Sequence, residues 1–199
     1  MNLRETLQTP LALPPHIRVT DVDLDPAAIR AVMISEVVPA DPAQDCYVGP
    51  DADYAATALA LFRQAGVEAD SLADLLHQGI YITNAVKTPK TANAVDPAAF
   101  EESLPILEAE LALFPNVQVI VLCGDVAKKM YNRIARRTLK RSVIPSGATY
   151  KIRAAAYYHG DIRVIPSYIM TGGNLLIEKS KVAMAAEDIR VMAEIISKP

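Results

Sequence analysis

The sequence predicts a single α/β domain in which a mostly parallel sheet is covered by helices on both faces. Three observations carry that prediction. Four short runs of β-branched and aromatic residues read as buried strands, and helix-forming segments separate them. No internal repeat or low-complexity tract interrupts the alternation. At 199 residues and 51% hydrophobic content, the chain can bury one sizeable core.

Residues 1–25, punctuated by Pro10, Pro14 and Pro15 and without clear periodicity, read as an extended arm packed over the surface. Residues 29–36 give the first strand, with 31–34 as its buried centre, and a Pro- and Asp-rich loop follows to residue 50. Residues 51–65, dense in Ala and Leu, stop at Gly66 as a helix with a glycine C-cap. Residues 71–77 form a second, shorter helix before Gly79. Ile80–Val86 is the next strand, with Pro89 just beyond it. Asp96 and Pro97 open a helix as N-cap and first residue, and Pro105 is expected to kink or split it before Phe114. Residues 117–123 are the clearest buried strand, and Gly124-Asp125 start a helix that runs to about Arg137. Residues 161–166 make a last strand and residues 178–196 a last amphipathic helix.

Composition narrows the function classes. No apolar run approaches the roughly 18 residues that span a bilayer, and no charged-then-apolar leader pattern opens the chain, so a cytoplasmic protein without membrane contact is expected. Cys46 and Cys123 are too few for a disulfide framework or a cysteine metal site. No Gly-x-Gly-x-x-Gly or Walker sequence follows a strand, which removes the usual device for cradling phosphate. Net charge is −3, yet nine Lys or Arg and no Asp or Glu lie between Val126 and Arg153. Such a segment is either a nucleic-acid footprint or a solvated helix face with its loop.

Asn84 and Lys87 fall near the carboxyl end of the Ile80–Val86 strand, where open α/β sheets bind ligands. An Asn there offers a donor and an acceptor suited to reading one edge of a heterocycle. The plainer role is a cap on the strand-to-loop turn.

Five blocks, taken in order, resemble the uracil-DNA glycosylase superfamily over nearly the whole chain. Met33-Ile34-Ser35-Glu36-Val37-Val38-Pro39 is similar to the Gly-Glu-Ala-Pro-Gly motif, and Cys46-Tyr47-Val48-Gly49 to Pro-Phe-Val-Gly. Residues 81–87, Tyr-Ile-Thr-Asn-Ala-Val-Lys, resemble Tyr-Ile-Thr-Asn-Val-Val-Lys. Residues 115–127 are similar to the strand-Leu-Gly-x-x-Ala block, and residues 164–174 occupy the place of Val-Phe-Pro-Thr-Tyr-His-Pro-Ser. The resemblance implies a three-layer fold and a monomer that flips a base out of DNA and hydrolyses its N-glycosidic bond. It implies that Tyr47 stacks on the extruded base and Asn84 reads uracil and rejects cytosine. Lys87, Arg136, Arg137 and Lys140 would meet the DNA backbone. Leu175 and Leu176 would wedge the duplex open, unless they are ordinary core at the start of the last helix.

The departures from the family pattern are as informative. The motif His that donates to the uracil anion is replaced by Ile169, or by Ile165 if the frame slides onto Pro166-Ser167. Val37 stands where several families carry Asp or Asn, which leaves Glu36, Asp41 and Asp45 as water-positioning candidates. Ser35 replaces a Gly, so backbone approach to the base is less open. The blocks are most like the bacterial group that normally carries an iron–sulfur cluster. Thr88 stands where that group has Cys, and no N-terminal Cys pair exists, so no cofactor or metal is expected. Two readings follow: a DNA-repair glycosylase with a degenerate site, or a silent base- or nucleic-acid-binding member of the same superfamily.

Overall fold

The computed structural model describes residues 1–49, 53–89, 95–170, 175 and 178–198; the side chains of residues 53 and 54 also fall outside that description. Five strands, β1 (Ala31–Val37), β2 (Ile80–Val86), β3 (Val119–Cys123), β4 (Tyr157–His159) and β5 (Ile162–Ser167), form one sheet in the order β2-β1-β3-β5-β4. All neighbours are parallel except β4, which pairs antiparallel with β5. The helices are α1 (Leu3–Leu11), α2 (Asp53–Gln64), α3 (Leu72–His77), α4 (Pro97–Ala112), α5 (Asp125–Leu139), α6 (Thr149–Ile152) and α7 (Lys179–Ile196). This is the single, mostly parallel α/β domain that the alternating strand and helix patterns predicted.

Period-two alternation in the strands sorts the core into two halves. Val32, Ile34, Tyr81, Ile120, Leu122 and Val164 pack with α1, α4 and α5, while Met33, Ile80, Ile82, Val121 and Ile165 pack with α2, α3 and α7. Because both sheet faces are covered, the strands are near-continuous apolar runs rather than alternating with polar residues, with Ser35, Asn84 and Ser167 toward their carboxyl ends. Among the described residues no helix is long and apolar enough to cross a membrane.

Two sequence expectations need correction. The first residues are not an extended arm: Leu3–Leu11 is a helix, capped by the Asn2 side chain, which accepts from the Glu5 N–H. Leu3 and Leu7, one turn apart, enter the core together, and Pro10 sits in the last turn, where it removes one backbone bond, to the Thr6 carbonyl, next to the helix end. Pro105 does not split its helix, since α4 runs from Pro97 to Ala112. It sits on the exposed face, where the carbonyl it leaves unbonded can meet water. The short antiparallel β4 was not foreseen; three residues are too few to show a period.

Candidate functional site

The chain leaves β1 for β2 on one side, then crosses back to β3 on the other, so the sheet order reverses between β1 and β3. Crevices at such switch points, beyond the carboxyl ends of the strands, are where open α/β sheets hold ligands. Here the crevice is a cavity of about 540 Å³ lined by Glu36, Gly124, Tyr150, Ser167, Ile169 and Lys181, among others.

Glu36 and Ile169 meet over Gly124. A Cβ at Gly124 would fall well inside contact with Glu36 Oε1 and 2.7 Å from Ile169 Cγ1. With φ at +112°, this position favours glycine on conformation as well as space. Glu36 Oε1 accepts from the Val126 N–H at 3.0 Å, so the amino terminus of α5 holds the carboxylate and its dipole favours the negative charge. Ile169 is 43% exposed at the mouth, whereas Ile165 is 1% exposed inside the core. Ile169, not Ile165, therefore occupies the cleft. Ser167 forms the rear wall, donating to Asp188 Oδ2 at 2.6 Å, and Arg153 holds Asp188 from the other side at 2.7 Å. Burial pushes the Asp188 carboxyl above its ordinary range, against the lowering by Arg153 and Ser167.

One strand away, Asn84 pairs in register with Ser35, the neighbour of Glu36. It is 4% exposed, and its amide has no hydrogen-bond partner among the described residues. Every enclosed side-chain N or O atom of those residues is bonded, so the small exposure of Asn84 lies at its amide. Among the described residues the amide makes none of the backbone bonds of a turn cap.

Lys87 takes a different place from the expected one. It is 1% exposed and cannot reach a DNA backbone. Its Nζ donates to Glu110 Oε2 at 2.5 Å and to Thr83 Oγ1 at 2.7 Å. Tyr81 and Thr83 donate to Glu110 Oε1, so the buried carboxylate is fully satisfied. This network grips β2 on the face opposite Asn84.

Tyr47 lies against the outer edge of β2. Its hydroxyl accepts from the Ile82 N–H at 2.9 Å, and its ring runs parallel to Tyr81 with centroids 6.2 Å apart. Its backbone has φ +69°, uncommon for a residue with a side chain. One ring face is thus already covered by Tyr81, and burial raises the hydroxyl pKa.

The other water-positioning candidates are engaged elsewhere. Asp41 is exposed and caps the turn Pro42–Gln44 by accepting from Ala43 N–H. Asp45 accepts from Cys46 N–H at 2.8 Å; burial raises its pKa, partly offset by that bond and by Lys87 and Arg18. Leu175 is 7% exposed and packs into the core half that holds α7, which excludes it as a projecting wedge. The hydrophobic pattern alone did not separate the two roles. Leu176 lies outside the described residues.

Arg136, Arg137 and Lys140 are all exposed at the end of α5. Arg136 donates to Ser142, Arg137 pairs with Glu108, and Lys140 donates to the Arg137 carbonyl. Tyr150, 61% exposed, and Lys181 are cleft residues that the sequence reading missed; nothing in their local pattern marks them. The residues present do not fit an iron–sulfur cluster. Thr88 Oγ1 bonds Glu102, and both thiols are buried in the apolar core with their pKa raised by burial.

Fold and cleft define an α/β protein with a cavity at the strand-order switch. A family model of the uracil-DNA glycosylase superfamily matches residues 31–175, from the first residue of β1 through every strand of the sheet. The chain belongs to that superfamily. No curated protein matches it.

Proposed function

We propose that the cleft receives a base extruded from DNA, uracil or another deaminated base, and that its N-glycosidic bond is hydrolysed there slowly. One observation carries the reading: at the carboxyl end of β2, Asn84 is 4% exposed and its amide has no hydrogen-bond partner among the described residues. Leaving such a group unbonded costs about 1–3 kcal/mol, which a ligand edge with one donor and one acceptor would recover. Uracil offers N3–H and O4 in that arrangement.

Glu36 is the group best supported for orienting water, because the α5 amino terminus fixes one carboxylate oxygen and leaves the other for a second partner. Tyr47 would stack on the base through the ring face turned away from Tyr81, a contact worth roughly 1–3 kcal/mol. Arg136, Arg137 and Lys140 would follow the backbone.

The departing uracil anion meets the aliphatic Ile169 instead of a donor. A missing donor of this kind costs about 2.7–4 kcal/mol, or 10²–10³ in rate. The same observation supports a second reading, a member that binds the base and leaves the bond intact. Incubation with a uracil-containing single strand, followed by alkaline cleavage of abasic product, tests the two. Slow product dependent on Asn84 supports the enzyme. Tight, uracil-dependent binding without product supports the silent module, and neither result would sink both.

A further inference from the structure

Beside the cleft lies a second cavity of about 620 Å³ between α5 and the loop at residues 142–147. Lys129, Arg133 and Arg136 line it from α5 at positions i, i+4 and i+7, one stripe of the helix. Ser142, Ser146 and Gly147 face them from the loop. Asn132 holds that loop in place: its amide oxygen accepts from the N–H groups of Val143 and Ile144, and its NH2 donates to the Ile144 carbonyl. The cavity is therefore built before any ligand arrives.

Its charge is unbalanced. Among the described residues of the lining Asp125 is the one carboxylate, and Lys128 pairs with it at 2.6 Å. Arg133 pairs with Glu101 at the rim. Lys129 and Arg136 have no carboxylate partner among the described residues; Lys129 lies over the Phe100 ring and Arg136 donates to Ser142. A concave site with surplus positive charge and hydroxyl donors attracts phosphate. Asp125 and Gly147 line both cavities, so the two are contiguous. Tyr150, three residues beyond the shared Gly147, lines the cleft with an exposed ring, the kind of platform on which a neighbouring base stacks.

We infer that the α5 cavity binds a backbone phosphate of the strand whose base enters the cleft, with Lys129, Arg133 and Arg136 as its cationic contacts. The inference rests on the base-binding reading and names the strand contact of that site. Phosphate recognition carries no sequence information, so it sets position on the strand and not the choice of base.

The test uses the full chain and the double variant Lys129→Gln/Arg136→Gln, with Arg190→Gln on α7 as a charge control; all three side chains are exposed, and melting curves check the fold. Anisotropy titrations against salt would use a uracil-containing single strand and the same strand with an abasic site. Titration with inorganic phosphate forms a separate arm. The expected result is weaker binding of both strands and a log K against log salt slope flattened by about 0.7, the share of one phosphate contact on a single strand, in the double variant, with no change in the control. An unchanged slope would overturn the inference. So would loss of inorganic phosphate binding without any effect on strands, because the cavity would then serve free anions alone. Failure of the base reading is read separately, as a wild type that does not prefer the uracil strand over the abasic one.

Discussion

Replacing Glu110 by Gln removes one charge from a pair with no route to solvent. Lys87 and Glu110 are 1% and 0% exposed at their side chains, and the pair is closed by Tyr81 and Thr83. In Glu110→Gln the amide oxygen can still accept from Tyr81 and Thr83, but its NH2 then confronts the Lys87 ammonium, donor against donor. Breaking a buried pair in this way costs about 3–5 kcal/mol, a large share of the roughly 5–15 kcal/mol that holds a domain together. Near 200 residues each kcal/mol moves Tm by about 2–4 °C, so melting should fall by about 6–20 °C. Urea unfolding with linear extrapolation measures the loss directly. Lys87→Met alone leaves a buried carboxylate that retains two hydroxyl donors, whereas the double variant Lys87→Met/Glu110→Gln removes both charges and should recover at least half of the Glu110→Gln loss. A loss under about 1 kcal/mol for Glu110→Gln, or a double variant no better than the worse single one, would refute the claim that charge burial dominates here. Because Thr83 precedes Asn84 on β2 and Lys87 directly follows the strand, preference for the uracil strand should weaken with the same substitution.

Three further outcomes are expected. Ile169→His puts an imidazole donor beside Glu36 and should raise single-turnover uracil excision by about 10²–10³; Ile165→His, inside the core, should give no gain and a less stable fold. Asn84→Asp should lower uracil binding or excision, since a carboxylate repels O4, and it can accept from the N4 amino group of cytosine; parity with wild type in a folded variant would return Asn84 to a structural role. Asp45 has its folded pKa raised by burial, so the folded state binds more protons than the unfolded one just above the ordinary carboxylate pKa, and stability falls as pH rises through the folded value. Asp45→Asn, which keeps the acceptor for Cys46 N–H, should stabilise the protein at pH 7 and not below the unfolded carboxylate pKa; denaturation curves at both pH values decide it.

The sheet was legible because its strands are short apolar runs, and burial on both faces demands them. Asn84 at a strand end was legible for the converse reason, since a polar residue there breaks the run. Lys87 was not, because the partner that decides its direction, Glu110, lies 23 residues away on α4. The basic segment was half legible for the same cause. Its surplus of charge can be counted in sequence, but Arg133, Arg137 and Arg153 find carboxylates on α4 and α7. Leu175 reads equally well as wedge or core, since a hydrophobic side chain gives no sign of which side will cover it. The cleft wall at Tyr150 comes from α6, which follows a loop held by Asn132, a contact without any local signature.

Tyr47 has a consequence that concerns association between copies. β2 ends one side of the sheet, and an open parallel edge is a template onto which another strand can add. Along that side the Ile82 N–H is taken by the Tyr47 hydroxyl, while Arg18 N–H covers the Lys87 carbonyl. The opposite margin ends in β4, three residues long, with the exposed Tyr158 ring under the Arg163 guanidinium. A strand seeking to extend the sheet would have to unseat Tyr47 on one side and would find only three residues to pair with on the other. The side chain proposed to stack on the base thus also covers the sheet edge, so a substitution there is expected to promote edge-to-edge association.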